Sequence, residues 1–202
     1  MKNLLTLIIL FVVSLSYGQK DFVLTINGES HEIALDDINE FKINGKNLSI
    51  SVREKDTLVF NDAFYSFKHL KNYSVSKTIM DEGIEQIMIM TASGSGVLIQ
   101  KYESFDPTML QEMMLNEVTK ESVNYGYTME RKDYDKTLNS GQELKVLKAA
   151  LEYKGELETY EITAFGGKDE GILIMTMNMN DEIDPEGAEM INLMWDSLHI
   201  KR

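Results

Sequence analysis

Two prolines stand in the 202 residues, and each directly follows an aspartate at the head of an amphipathic run. Aspartate accepts from the free N–H groups of a first helical turn, and proline suits the first helical position because its missing N–H is not needed there. Asp106-Pro107 therefore predicts a helix. Its apolar residues Leu110, Met113, Met114, Val118 and Tyr125 recur at three- and four-residue steps or their multiples until Gly126 supplies a stop. Asp184-Pro185 predicts a second helix, with Ala188, Ile191, Trp195 and Leu198 as its buried stripe.

Between and before these helices the chain reads as strands divided by turn residues. Asn27-Gly28 and Asn44-Gly45 offer tight hairpin turns, each preceded by isoleucine, so residues 19–60 form a small β-rich lead-in. Strand-like runs follow at Phe64 to Leu70, Tyr73 to Met80, Ile84 to Thr91 and Val97 to Tyr102, the last two joined by the loop from Ala92 to Gly96. After the first helix come Tyr127 to Tyr134, Glu143 to Tyr153, Glu156 to Phe165 and Gly171 to Met179. Strands in runs with only two helices predict an α+β fold in which both helices cover one antiparallel sheet, and they disfavour parallel winding.

The first eighteen residues read differently. Met1-Lys2-Asn3 leads into an apolar stretch from Leu4 to Val13, and Ser16 and Gly18 place small side chains at the third and first positions before a cut. This predicts a signal peptide cleaved after Gly18, a mature chain starting at Gln19, and a periplasmic or secreted product. The stretch is too short for a membrane anchor, which needs about 20 apolar residues. The chain has no cysteine, so disulfides, thiolate nucleophiles, Cys-based metal sites and a lipoprotein anchor are excluded. Its net charge of −13 sets it against phosphate backbones and anionic lipid surfaces, which argues against nucleic acid as a partner.

The order of elements from Asn61 to the end resembles the PsbP-like superfamily. The resemblance rests on Phe64-Tyr65-Ser66-Phe67-Lys68-His69 opening the sheet, the helix after Asp106-Pro107, three long strands, and a closing helix that ends Trp195-Asp196-Ser197-Leu198. That superfamily includes the photosystem II extrinsic subunit, a eukaryotic Ran-binding import factor and bacterial exported proteins. The resemblance implies an α/β/α sandwich over residues 61–202 and a mostly accessory, non-catalytic role, and it transfers no functional residue.

Tests for chemistry return little. His31, His69 and His199 have no ligand spacing among them. Ser95, in Ser93-Gly94-Ser95-Gly96, lacks the glycine two residues before it and the following helix that a strained nucleophile turn requires. In the acidic segment 178–189, Asp181, Glu182, Asp184 and Glu186 offer hard oxygen ligands for calcium, and a calcium-loop register from Asn178 puts Glu189 at the bidentate position but Ile183 where the sharp-turn glycine belongs; a helix cap is the stronger account of Asp184. Methionine is abundant, at 13 residues. Met175, Met177 and Met179 alternate along one predicted strand, as Met88 and Met90 do along another, so thioethers gather on one sheet face. They can serve as core, as a lining for an apolar guest, or as soft ligands for Cu(I). No catalytic residue and no cofactor is identified.

The sequence thus predicts a non-catalytic exported accessory protein that binds another macromolecule. A small-ligand or Cu(I)-binding module and a calcium-binding segment are the alternatives. The protein recovered from periplasm or medium is expected to begin at Gln19 by N-terminal sequencing; a recovered chain still starting at Met1 would remove the export reading.

Overall fold

The computed structural model describes residues 22–179 and 182–201. The predicted signal peptide, its cleavage point and Asp181 lie outside the described residues. Cα proximity divides the chain into two compact units, one ending at Lys55 and one beginning at Asp56.

The first unit holds two antiparallel hairpins, β1 (Phe22–Ile26) with β2 (Glu29–Ile33) and β3 (Ile38–Ile43) with β4 (Lys46–Ser51). Their turns carry positive φ at both central residues, 50° and 91° at Asn27-Gly28 and 51° and 77° at Asn44-Gly45. That geometry matches the right-handed twist of the flanking strands, which is why Asn-Gly closes both.

The second unit runs β5 (Thr57–Asn61), β6 (Tyr65–Leu70), β7 (Ser76–Asp81), β8 (Ile84–Met90) and β9 (Gly96–Tyr102), then a 3-10 turn (Pro107–Leu110) and α1 (Gln111–Tyr125). It continues with β10 (Thr128–Arg131), β11 (Tyr134–Thr137), β12 (Glu143–Tyr153), β13 (Glu156–Gly167), β14 (Glu170–Met179), α2 (Pro185–Ser197) and β15 (His199–Ile200). Eight strands form one sheet in the order β10-β12-β13-β14-β9-β8-β7, with β11 also paired to β12. Every pairing is antiparallel.

The predicted α+β sandwich, an antiparallel sheet covered by two main helices, is corrected here. The protein is mostly β, with 54% of the described residues in strands and 18% in helices, and the eight-stranded sheet has only two helices to set against it. Two local causes account for the difference. Phe64 to His69, read as the opening of the main sheet, belongs to a separate three-stranded sheet of order β15-β6-β5. There Tyr65 and Phe67, each 1% exposed, face the core, and Phe60 stacks on Phe67 at 5.4 Å. These aromatic side chains share with α2 the covering of one face of the large sheet. The second cause is the narrow buried stripe of α1: Leu115 and Thr119 are buried, whereas Met113 and Tyr125, read as core, are 60% and 71% exposed.

The two sheet faces have separate cores. On one, Ile87, Ile89, Val97, Ile99, Ile172 and Ile174 meet Met190, Ile191, Met194 and Trp195 from α2 and Leu198 just after it, together with Tyr65 and Phe67. On the other, Leu147, Ala149, Leu151, Tyr160, Ile162 and Leu173 pack under Leu115 of α1. Full burial of each large apolar side chain contributes roughly 1.5–3 kcal/mol, so α2 with its four large core residues is docked more firmly than α1.

A buried carboxylate fixes where α2 begins. Asp184, 4% exposed, accepts from the Gly187 N–H at 3.0 Å as the helix cap, and the Thr91 hydroxyl also donates to it. Ser95, fully buried in the β8–β9 connection, hydrogen-bonds the same carboxylate, and its Oγ accepts from the Met179 N–H at 2.9 Å. Burial by itself would raise the Asp184 pKa, but the hydrogen bonds from Thr91, Ser95 and Gly187 outweigh it and hold the group below the usual aspartate value.

Replacing Trp195 by alanine is expected to cost about 3–5 kcal/mol in urea unfolding followed by circular dichroism; a loss under about 1 kcal/mol would contradict the docking of α2. Asp184→Ala, which strands three buried donors, is expected to cost about 1–3 kcal/mol. A depressed folded-state pKa gives stability that is present above the unfolded value near 3.9 and is lost as pH falls through the folded value. The stability gap between the wild type and Asp184→Asn should therefore narrow as pH drops below about 4. A gap that widens with acid would show that the carboxylate is not held as a charge.

Candidate functional site

Helix α1 packs on β12 and β13, and the 3-10 turn before it packs on β13 and β14. The same face over β9 and β8 is left without a helix. Register fixes what lies there. One cross-strand row runs Met88, Leu98, Met175, and the next runs Met90, Gly96, Met177. Met88, Met90, Met175 and Met177, with Gly96, Val97 and Leu98, line a shallow open groove of about 30 Å³.

Gly96 makes the groove possible. A Cβ at this position would lie 2.5 Å from the Ile89 carbonyl oxygen and 2.7 Å from Met90 Cγ, so Met90 occupies the space where a side chain from β9 would stand. The middle strand presents bare backbone there, between Met90 on one side and Met177 on the other. The floor continues into Gln86 and Gln100, whose side chains hydrogen-bond each other at 2.9 Å, and Tyr102 donates to Gln100 at 2.7 Å. Met90 is 37% exposed; Met88, Met175, Met177 and Met179 are half-buried.

The structure thus brings Met175 and Met177 together with Met88 and Met90, whereas Met179 lies one step further along β14, opposite Glu158 and outside the groove lining. The described residues among the calcium candidates include Asp184 and Glu189. Asp184 is committed to its cap and to Thr91 and Ser95, and Glu189 is exposed on α2. Among the described residues no three histidines or carboxylates cluster at metal-binding distance. His69 is buried with its Nδ1 3.0 Å and 3.1 Å from the Leu70 and Tyr73 carbonyl oxygens, and His31 packs on Phe41. No described helix is long and apolar enough to cross a membrane.

A second site escaped the sequence reading. On the α2 face the inward positions turn polar toward one end: Lys148, Glu161 and Thr176 form one cross-strand row, with Thr159 and Asn178 paired beside it. With Ala188, Ile191, Asn192 and Trp195 of α2, these residues line a cavity of about 220 Å³. Lys148 Nζ lies 3.0 Å from Glu161 Oε1, with side chains 36% and 12% exposed. Burial, and then the charge of Glu161 beside it, push the Tyr134 phenol up. The signal was present in β14, where the alternating positions Ile172, Ile174, Thr176 and Asn178 change from apolar to polar within one face.

Neither a family profile nor a curated protein matches the sequence. Among solved structures, the chain is similar to a crystal structure from Bacteroides thetaiotaomicron at 12% identity and a TM-score of 0.39; the match covers 73% of this chain and half the length of the other. It is also similar to the solution structure of cyanobacterial PsbP (CyanoP) from Synechocystis, at 11% identity and a TM-score of 0.47, covering 72% of this chain and 92% of that one.

Proposed function

We propose that the protein is a non-catalytic binding protein, working outside the cytoplasm, whose methionine-lined sheet face receives the apolar side chains of a partner protein. The observation that carries this reading is the convergence of Met88, Met90, Met175 and Met177 on the half of the sheet that α1 leaves open. Methionine is flexible and polarisable, and it suits surfaces that repack around a partner. The partner segment is expected to carry apolar anchors flanked by lysine or arginine, because this chain has 33 acidic against 20 basic residues.

A groove of about 30 Å³ is far below the roughly 300–1,000 Å³ that encloses a drug-sized guest, which weighs against a fatty acid or quinone as its occupant. Cu(I) remains as a second reading, because four thioethers line the same small groove and soft sulfur suits that ion.

Methionine ε-methyl NMR separates the two readings. An amphipathic Leu/Lys peptide is expected to give saturable shifts at Met88, Met90, Met175 and Met177, leaving the core residues Met190 and Met194 in place. Met90→Lys combined with Met177→Lys should abolish those shifts without unfolding the protein. Saturable shifts with Cu(I) and none with the peptide would transfer the site to a metal, and silence with both would remove both readings.

A further inference from the structure

The cavity under α2 combines features that a packed core avoids. It is about 220 Å³ in volume, its floor is Lys148, Glu161, Thr176, Thr159 and Asn178, and its roof is about two turns of α2, from Ala188 to Trp195. The indole of Trp195 forms part of the wall, and its buried Nε1 has no acceptor among the described residues. Lys136 lies 5.2 Å from the Trp195 ring centroid, so the ring is already in contact with a cation. An ordinary interior would fill such a space with methyl groups, as the neighbouring Ile174, Val97 and Ile89 do on the same face.

Charge decides what fits. The floor carries one ammonium and one carboxylate in contact, both partly withdrawn from water. A simple anion would draw Lys148 away from Glu161 and leave a half-buried carboxylate without its counter-charge, held only by the Tyr134 hydroxyl, and a simple cation would draw Glu161 away from Lys148. A molecule bearing both charged groups on one carbon does neither, because its carboxylate meets Lys148 and its ammonium meets Glu161, closing a ring of four alternating charges. Hydroxyls of Thr159 and Thr176 and amides of Asn178 and Asn192 supply the remaining donors and acceptors, while Ala188 and Ile191 offer an apolar wall to a short side chain.

We infer that this cavity binds a free α-amino acid with a small apolar side chain, held by its zwitterionic backbone between Lys148 and Glu161. The site is separate from the methionine groove, which lies on the opposite face of the sheet, and it does not depend on what that groove receives.

The test uses the intact protein and its single tryptophan, which lines the cavity. L-Alanine, L-valine and L-leucine are titrated against Trp195 fluorescence and the melting temperature, with isobutyrate, isobutylamine and glucose as probes that lack one or both charges. Saturable change with at least one amino acid, and at least tenfold weaker binding of the three controls, is the expected result. Replacing both charges together, Lys148→Met with Glu161→Gln, leaves no unpaired ion behind and should abolish binding while the protein remains folded by circular dichroism. Asn192→Leu, at an exposed position on the helix, should weaken binding by narrowing the cavity. Amino acids that cause no change up to 10 mM (about the weak end of specific affinity), controls that bind as well as amino acids, or undiminished binding by the doubly neutralised protein would each overturn the proposal.

Discussion

Asp184 ties the first turn of α2, through Gly187, to the turn that joins β8 and β9, through Thr91 and Ser95. Ser95 then passes the connection on to the last residue of β14 by accepting from the Met179 N–H. A charged group almost wholly out of water is tolerable only when its lone pairs are filled, and here donors from both the loop and the helix fill them. The position of α2 over the sheet follows from this junction, and with it the four large apolar residues that complete one core and the roof of the polar cavity beneath the helix.

The two faces of the large sheet solve the problem of coverage differently. The α2 face is closed by a helix and an aromatic hairpin, and only its far end, at Lys148 and Glu161, turns polar. The α1 face is closed over β12 and β13 alone, and methionines occupy the ground that the helix does not reach. A sheet of this width exceeds what one helix of fifteen residues can cover. The uncovered remainder is divided: it is apolar at Met88, Met90, Leu98, Met175 and Met177 and polar at Gln86 and Gln100.

Local rules were legible in the sequence where a single residue decides the outcome. Pro107, Pro185 and their preceding aspartates marked where the helical segments begin, Gly126 at φ 116° ended α1, and Asn-Gly closed both early hairpins. Coverage was not legible, because it depends on which sheet a strand joins. Tyr65 and Phe67 alternate as any half-buried strand does, and nothing in that alternation says that β6 pairs with β5 and β15 in place of β7. Met113 and Tyr125 fell on helical spacing yet point outward, since the spacing gives a direction around the axis but not the width of the stripe a neighbour fills. The site residues divided along the same line: the methionine alternation was visible strand by strand, whereas Lys148, Glu161 and Thr176 come from three strands and meet only through register.

The depth of each methionine also sets its fate toward oxidants. Met190 and Met194 are 1% exposed beneath α2, while Met90 stands open at the rim of the groove. Conversion of a thioether to its sulfoxide replaces an apolar, pliant side chain with a polar and chiral one. A peroxide reaching this molecule would thus oxidise the outward methionines Met80, Met109, Met113 and Met129 and then the rim of the groove at Met90, wetting an apolar surface while the interior behind it stayed intact.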